Sequence, residues 1–290
     1  MTVLIGIAVT GVIPIIGGIV LLAAKKIKAS SFWAGVLAYI IAMIVYTIIS
    51  GIVSMSVMMS SGSMMGTETE IPTSVTAALS IALCVLTVLA MGICIGGCMK
   101  KTRTFKGAVS CGLGFGVGYL VTTAIGLVSM YSVFVQINSG AFDKLYAPMV
   151  EQGMMDKELV KSMKAVYTEF SAADGLGQTL AAAGLAMLFV AAAVFIMRGA
   201  CAKKIFAGIG VSALILAAAG GVSAVIPNTI AGAVVVVAIG AAALIFAVRM
   251  RESVVPPEAP AVQDSFLDSV AKAQTEVTFE SSSAEDSSDK

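Results

Sequence analysis

The chain has 290 residues, of which 58% are hydrophobic and 12% are charged. An average soluble domain is roughly 45–50% apolar and 25% charged, and no soluble fold of this size hides so much apolar surface. The composition therefore excludes a soluble globular protein and predicts the lipid bilayer as a partner. The 18 basic residues form short clusters between apolar runs rather than one patch, so no nucleic-acid partner is expected.

Seven apolar runs are long enough to cross a hydrocarbon core about 30 Å thick, which takes about 20 residues. The runs are Val3–Ala24, Phe32–Ser54, Val75–Cys98, Ala108–Val133, Leu176–Met197, Ile205–Val225 and Thr229–Val248. Backbone groups in lipid must be paired within the segment, and no run alternates with period two, so helices are expected rather than barrel strands. The predicted fold class is all-α: a polytopic membrane protein of seven transmembrane helices. The first run carries its positive charge after the apolar residues, which favours a retained span over a cleaved signal peptide.

Lysine and arginine follow every second run, as they do in cytoplasmic loops of membrane proteins. The basic clusters are Lys25, Lys26 and Lys28; Lys100, Lys101, Arg103 and Lys106; Arg198, Lys203 and Lys204; and Arg249 with Arg251. The loops after the second and sixth runs contain neither residue type. The segment after the fourth run has four lysines, which mildly oppose the pattern, but segments of that length are translocated fairly readily. The pattern predicts a protein of the cytoplasmic (plasma) membrane with its N-terminus outside and its C-terminus inside.

Two polar segments divide the chain into four parts. Residues 1–137 hold the first four predicted helices and residues 175–250 hold the last three. Residues 138–174 form a predicted extracytoplasmic segment. Apolar residues recur there at helical spacing, which indicates an amphipathic helix on the outer surface: Leu159, Met163, Val166, Tyr167 and Phe170.

The last part, residues 251–290, is a predicted disordered cytoplasmic tail. From Glu252 to Lys290 it has nine acids and two lysines, and it opens with Pro256, Pro257 and Pro260. Such a composition buries too little apolar surface to fold alone.

The apolar runs lack the ionisable residues that catalysis usually needs. The chain has no histidine, and no Asp, Glu, Lys or Arg lies well inside any run. Proton-coupled transporters and intramembrane metalloproteases place ionisable groups at mid-membrane depth, because their chemistry occurs there. A histidine-based zinc site and an intramembrane carboxylate pair are therefore excluded, and no cofactor is predicted.

Sulfur-bearing residues are the only candidate metal ligands. The methionines are near the outer end of the second run: Met55, Met58, Met59, Met64 and Met65. The cysteines are near the predicted cytoplasmic ends of the third and fourth runs: Cys94, Cys98 and Cys111. Thioethers and thiolates select soft ions such as copper(I). Methionine is equally an adaptable filler, and cysteine packs as a small apolar residue, so both explanations stay open.

Four alternate residues open the fourth run: Gly112, Gly114, Gly116 and Gly118. This is not a dinucleotide-binding fingerprint, because no strand precedes it. Glycines four residues apart on a membrane helix let neighbouring helices approach closely, so helix packing is predicted. Gly92 and Gly96 on the third run have the same spacing.

The order of these features resembles the YhfC family, bacterial membrane proteins described as intramembrane proteases and distantly similar to the CAAX-processing peptidases. Three stretches carry the resemblance, which covers roughly residues 1–250. They are Ile13–Gly35, with its basic turn; Lys100–Gly116, a basic loop and glycine-rich helix start; and the charged outer segment ending at Asp174, followed by Gly177–Arg198.

The family's functional residues are replaced in this chain. Its fourth span usually reads G-L-G-H-G-x-x-E, and here the histidine and glutamate positions are Phe115 and Tyr119. A Glu-Arg pair and a later histidine of the fifth span fall near Gln178 and Ala186, and charged positions of the third span fall around Thr87–Met91. A phenyl ring, a phenol and an amide do not activate water as a carboxylate or a metal-bound hydroxide does.

The resemblance therefore implies a pseudoenzyme, a protease-like scaffold without its chemistry. The leading hypothesis is a non-catalytic member that binds a membrane-protein partner or a hydrophobic ligand. The alternative is a permease-like transport subunit, because the sixth and seventh runs are joined only by Ile226–Asn228 and form a predicted tight hairpin. A third hypothesis is metal handling through the Met or Cys clusters.

Overall fold

The structure is a computed structural model. It describes Thr10, 12–60, 73–100, 103–153, 155–168, 172–226, 229–251 and Val254, all within the compact unit Met1–Val255. These residues form nine α-helices and no strand. The helices are α1 (Ile13–Ala23), α2 (Ala29–Ser60), α3 (Thr73–Ile93), α4 (Phe105–Asn138), α5 (Ala141–Glu151), α6 (Lys157–Thr168), α7 (Ala172–Cys201), α8 (Ile205–Val225) and α9 (Thr229–Arg249). One π-helical turn, Cys94–Cys98, continues α3.

Five of these helices contain segments long and apolar enough to cross a membrane. The segments are Ala29–Ser56, Ile81–Cys98, Phe105–Asn138, Ala173–Cys201 and Thr229–Arg249. The all-α, membrane-type fold is therefore confirmed, whereas the described residues supply fewer spanning helices than the seven predicted. The two apolar helices that fall short are α1 and the described apolar part of α8, Ile205–Gly221. At 1.5 Å per residue they measure about 16 and 25 Å, against a core of about 30 Å. Residues 3–9 of the first predicted run lie outside the described residues.

Helix α7 is the centre of the bundle. Its residues from Leu188 to Met197 are all apolar and all buried, because α3, α4, α8 and α9 pack around it. Helix α9 packs closely against it, and a β-carbon at Gly240 would come 2.5 Å from the Gly184 carbonyl oxygen. Helices α8 and α9 each pack more extensively on α7 than on each other. They are therefore parts of the bundle rather than a separate hairpin.

The glycine run of α4 faces two neighbours in turn. A β-carbon at Gly112 would lie 2.5 Å from the Cα atom of Val190 on α7, whereas one at Gly114 would overlap the backbone carbonyl of Phe32 on α2. In the same way, a β-carbon at Gly35 of α2 would overlap the backbone carbonyl of Cys111 on α4. This arrangement agrees with the close helix packing predicted for these glycines.

The four basic clusters share one end of the bundle. The Lys106 ammonium donates to the Lys25 carbonyl (2.7 Å), and the Lys28 ammonium donates to the Thr104 hydroxyl (3.2 Å). Arg103 interacts electrostatically with Cys201 at the end of α7. The turn between α1 and α2, the start of α4 and the end of α7 are thereby brought together.

The segment between α4 and α7 holds the two shorter polar helices, α5 and α6. An ion pair of 2.8 Å between Lys164 and Asp143 joins them. Every acid that the structure describes lies between Asp143 and Asp174. Of the amphipathic helix predicted from Leu159 to Phe170, α6 covers residues up to Thr168, and Phe170 lies outside the described residues, as does the acidic tail apart from Val254.

Candidate functional site

The residues at the family's functional positions occupy two places. Phe115 and Tyr119 on α4 face α7. Between them in sequence, Gly116 packs on Ala186 of α7, and a β-carbon added to Gly116 would lie 3.4 Å from the Ala186 β-carbon. Gln178 is exposed and eight residues before Ala186, about 12 Å away along α7. The structure therefore brings three of the four positions to one interface and leaves Gln178 apart.

An aromatic cluster fills that interface. Phe115 is 1% exposed, and its ring centroid lies 5.2 Å from that of Tyr39 on α2 and 4.8 Å from that of Phe189 on α7. Tyr119 completes the cluster, with its ring 5.4 Å from Phe189 and 6.5 Å from Tyr39. Edge-to-face contacts at these distances are favourable for aromatic rings. The cluster binds α2, α4 and α7 together with side chains that do not act as a general base near neutral pH.

Sequence reasoning did not identify Tyr39 or Phe189 as members of this cluster. The hydroxyl of Tyr39 does not distinguish it within its run, which also contains Tyr46, Thr47 and Ser50, and Phe189 has no distinguishing signal. The third-span positions are part of the core as well, because Thr87 is 4% exposed and both Val88 and Met91 are fully buried.

An apolar cleft of about 400 Å³ opens beside the cluster, between α1, α2 and α4. Its walls include Ile19 and Leu22 of α1, Trp33 and Tyr39 of α2, and Val117 of α4. A smaller hollow of about 270 Å³ between the same helices shares Gly18, Phe32 and Val117 with it.

The Tyr39 hydroxyl is the unusual group of the cleft. Tyr39 is only 6% exposed, and its hydroxyl has no hydrogen-bond partner of standard geometry among the described residues. The neighbouring Thr122 hydroxyl donates to the Gly118 carbonyl at 3.2 Å. A buried hydroxyl without a partner costs about 1–3 kcal/mol. A ligand that hydrogen-bonds to Tyr39 would remove that cost.

The cysteines hold helices together at the neighbouring junction. The Cys94 thiol donates to the Ala34 carbonyl (3.2 Å) and interacts with the thiol of fully buried Cys111, while Cys98 is exposed. Among the described residues, no three His, Cys, Asp or Glu side chains are arranged to hold a metal ion.

The methionine candidates are only partly described. Met64, Met65 and the side chains of Met58 and Met59 lie outside the described residues, and Met55 is exposed. Metal handling by that segment stays a prediction.

No protein-family model, curated protein or solved structure matches the chain. The resemblance to the YhfC family stays an expectation from the sequence. Function must therefore be inferred from the cleft, the aromatic cluster and the charge distribution of the chain itself.

Proposed function

We propose that the chain is a catalytically inactive membrane protein of the YhfC type that binds a hydrophobic ligand in the cleft between α1, α2 and α4. The observation that carries this proposal is a 400 Å³ apolar cleft lined by Tyr39 and Thr122, in which the buried Tyr39 hydroxyl has no hydrogen bond of standard geometry apart from its interaction with Thr122. Small-molecule sites typically have volumes of about 300–1,000 Å³, apolar walls and a few polar groups that orient the ligand.

The ligand should have a long apolar body and one group that hydrogen-bonds, such as a ketone or an alcohol. Tyr39 can donate to a carbonyl oxygen or accept from a hydroxyl. The cleft side chains Ile19, Leu22 and Val117 would contact the apolar body. Charged ligands are disfavoured, because none of the residues lining this cleft is charged and a buried charge needs a partner.

The proposed topology has seven spans, with the N-terminus outside and the C-terminus in the cytoplasm. One observation supports it: basic clusters meet at the end of the bundle where α4 begins. Cytoplasmic loops are enriched in Lys and Arg. Alkaline phosphatase fused after Gln152 should be active, because that enzyme needs an oxidising compartment, and the same fusion after Arg251 should be inactive. The reverse pattern would overturn the orientation.

The proposed inactivity is supported by the packing of Phe115 in the core and of Tyr119 against it, at the positions of the family's histidine and glutamate. The purified protein should leave membrane-peptide substrates intact. Cleavage that disappears in Tyr119→Phe or Gln178→Ala would contradict the proposal, because it would assign chemistry to those two positions.

Ligand binding can be followed through Trp33, which is the only tryptophan of the chain and lines the cleft. A long-chain alcohol brominated in mid-chain should quench Trp33 fluorescence saturably in nanodiscs, and the unbrominated alcohol should reverse the quenching. If quenching instead rises linearly with the amount of brominated alcohol and the unbrominated alcohol does not reverse it, Trp33 senses only bulk lipid. That result would refute the site.

A pair of valines on α4 gives the matched control. Val117→Phe should fill the cleft and weaken displaceable quenching about tenfold or more, since a small cavity cannot hold both the ring and the ligand. Val128 is exposed on nearly the same face of α4, 11 residues further on and outside the cleft. Val128→Phe should therefore leave the binding curve unchanged.

A further inference from the structure

A second cleft lies at the basic end of the bundle, between α7, α8 and α9. Its volume is about 470 Å³. The inner wall is apolar and includes Phe195 and Phe246, whose ring centroids are 6.1 Å apart, and Val211. Two cations, Arg198 and Lys204, line the same cleft. It thus combines an apolar interior with a positively charged rim.

The chain reverses sharply to create this cleft. Lys203 has a left-handed backbone (φ 58°), and the Lys204 amide donates to the Gly199 carbonyl at 2.7 Å. Gly208 allows α8 to lie against α7, because a β-carbon there would come 2.6 Å from the Phe195 carbonyl oxygen. The two cations are therefore held on either side of one tight turn.

The Arg198 side chain is held at the rim by a contact with α9. Its guanidinium lies 2.9 Å from the Met250 sulfur, which also lines the cleft. This contact occupies one of five N–H donors of the guanidinium, whose planar fork suits two oxygens of a phosphate. Arg198 is exposed, so the remaining donors are accessible.

The charge at this end is unbalanced within the described residues. Lys203, Arg249 and Arg251 lie near the rim, and every described acid lies far along the chain, between Asp143 and Asp174. A cluster of cations attracts phosphate groups.

We propose that this cleft binds one anionic phospholipid. Its phosphate would rest on Arg198 and Lys204, and an acyl chain would lie against Val211 and Phe246. Basic pockets between membrane helices are typical sites for anionic headgroups. The apolar inner wall suits a lipid, because Val211 and Phe246 offer an acyl chain a contact surface beside the two cations, and free phosphate has no group that uses it. This site is separate from the cleft between α1, α2 and α4.

The experiment is native mass spectrometry of the full chain titrated with phosphatidylglycerol or phosphatidylcholine. One tightly held phosphatidylglycerol is expected, with about tenfold weaker binding of phosphatidylcholine. The variant R198Q/K204Q should weaken phosphatidylglycerol binding about tenfold or more, since each basic residue contributes to headgroup attraction. The control K203Q/R249Q removes the same net charge from the same end and should change binding less than twofold, because neither residue lines the cleft.

A second pair of variants tests the acyl-chain contact without changing charge. Val211→Trp should displace the acyl chain and reduce binding, whereas Leu214→Trp, on the same helix, exposed and outside the cleft, should not. Equal losses in both charge variants, or no loss in either, would refute the site. Glycerol phosphate that competes with the lipid at equal concentration would also overturn the proposal, since it would assign the cleft to a phosphate without chains. Trp33 quenching by the brominated alcohol should be unaffected by the two charge variants, which keep Trp33 as the only tryptophan, so the two proposals can fail separately.

Discussion

The two halves of α4 have the same kinds of residues, but most of the buried ones are in the first half, and the second half has only Ala124 and Leu127 buried. In the first half, Gly112 and Gly114 touch the backbones of α7 and α2, and Phe115 is fully buried. In the second half, Gly126 has no atom of another element within 4 Å of an added β-carbon, and Phe134 is 40% exposed. In lipid an apolar side chain is satisfied in either place, so the structural value of a residue depends on helix contact rather than on hydrophobicity.

Replacing glycine by alanine should give the largest difference in stability between the two halves of α4. Gly114→Ala forces a methyl group onto the Phe32 carbonyl, so α2 and α4 must move apart, and we expect a loss of about 3 kcal/mol or more in the free energy of unfolding. Gly126→Ala should be neutral or stabilising by up to about 1 kcal/mol, because alanine favours the helix. Unfolding by SDS in mixed micelles, followed by circular dichroism, measures both. Equal effects would show that the two halves do not differ in packing.

Phenylalanine truncation should give a smaller difference. Phe115→Ala leaves a cavity among Tyr39, Tyr119 and Phe189, and we expect a loss of about 2–3 kcal/mol. This is below the roughly 3–5 kcal/mol found in water-soluble cores, since the unfolded helices remain in lipid. Phe134→Ala should cost less than about 1 kcal/mol, because lipid replaces the exposed ring. The same unfolding assay compares them, and a larger loss for Phe134 would contradict the assignment of the core.

Apolar periodicity predicted the helices better than it predicted their ends or partners. The run Ala108–Val133 lies inside α4, which extends from Phe105 to Asn138. The helix begins where the Thr104 hydroxyl accepts from the Gly107 amide at 3.1 Å, a polar contact that hydrophobicity does not report. Glycine spacing predicted close approach, but which glycine meets α2 and which meets α7 depends on three-dimensional packing.

The third prediction concerns Tyr39, which contacts the first half of α4. Tyr39→Phe should stabilise the ligand-free protein by about 1 kcal/mol, because it removes a buried hydroxyl that has no hydrogen bond of standard geometry. It should also weaken the binding of the brominated alcohol about tenfold. Tyr131 lies on the second half and is 36% exposed. Tyr131→Phe should change neither stability nor quenching. Tighter alcohol binding by Tyr39→Phe would exclude the hydroxyl as the ligand's partner.

The smallest effect is expected beyond the second half, where Asp143 pairs with Lys164. The two side chains are 57% and 33% exposed, so water and salt screen the ion pair. Asp143→Asn should cost about 0.2–1 kcal/mol at low salt, and 1 M NaCl should remove most of the difference. Glu158→Gln on α6 neutralises one acid without that partner and serves as the control. A loss above about 2 kcal/mol would mean that this segment is part of the folded core.

The site was less predictable than the fold. The family resemblance named Phe115, Tyr119 and Ala186, which lie at one interface, and Gln178, which does not. It missed Tyr39 because the importance of that hydroxyl comes from its burial and lack of a hydrogen bond of standard geometry, and neither property is visible in a one-dimensional pattern. Arg198 and Lys204 were read only as topology signals, since their shared cleft exists only after α7, α8 and α9 pack.

The alternating glycines of α4 have a mechanical consequence. Because Gly112 lies against α7 and Gly114 against α2, rotation of α4 about its own axis would turn residues with side chains towards those two backbones, where a β-carbon does not fit. The close backbone contacts therefore disfavour sliding or rotation of α2, α4 and α7 against one another. Helix α1 is the best placed to move. Its main packing partner is α4, and it forms one wall of the proposed ligand cleft.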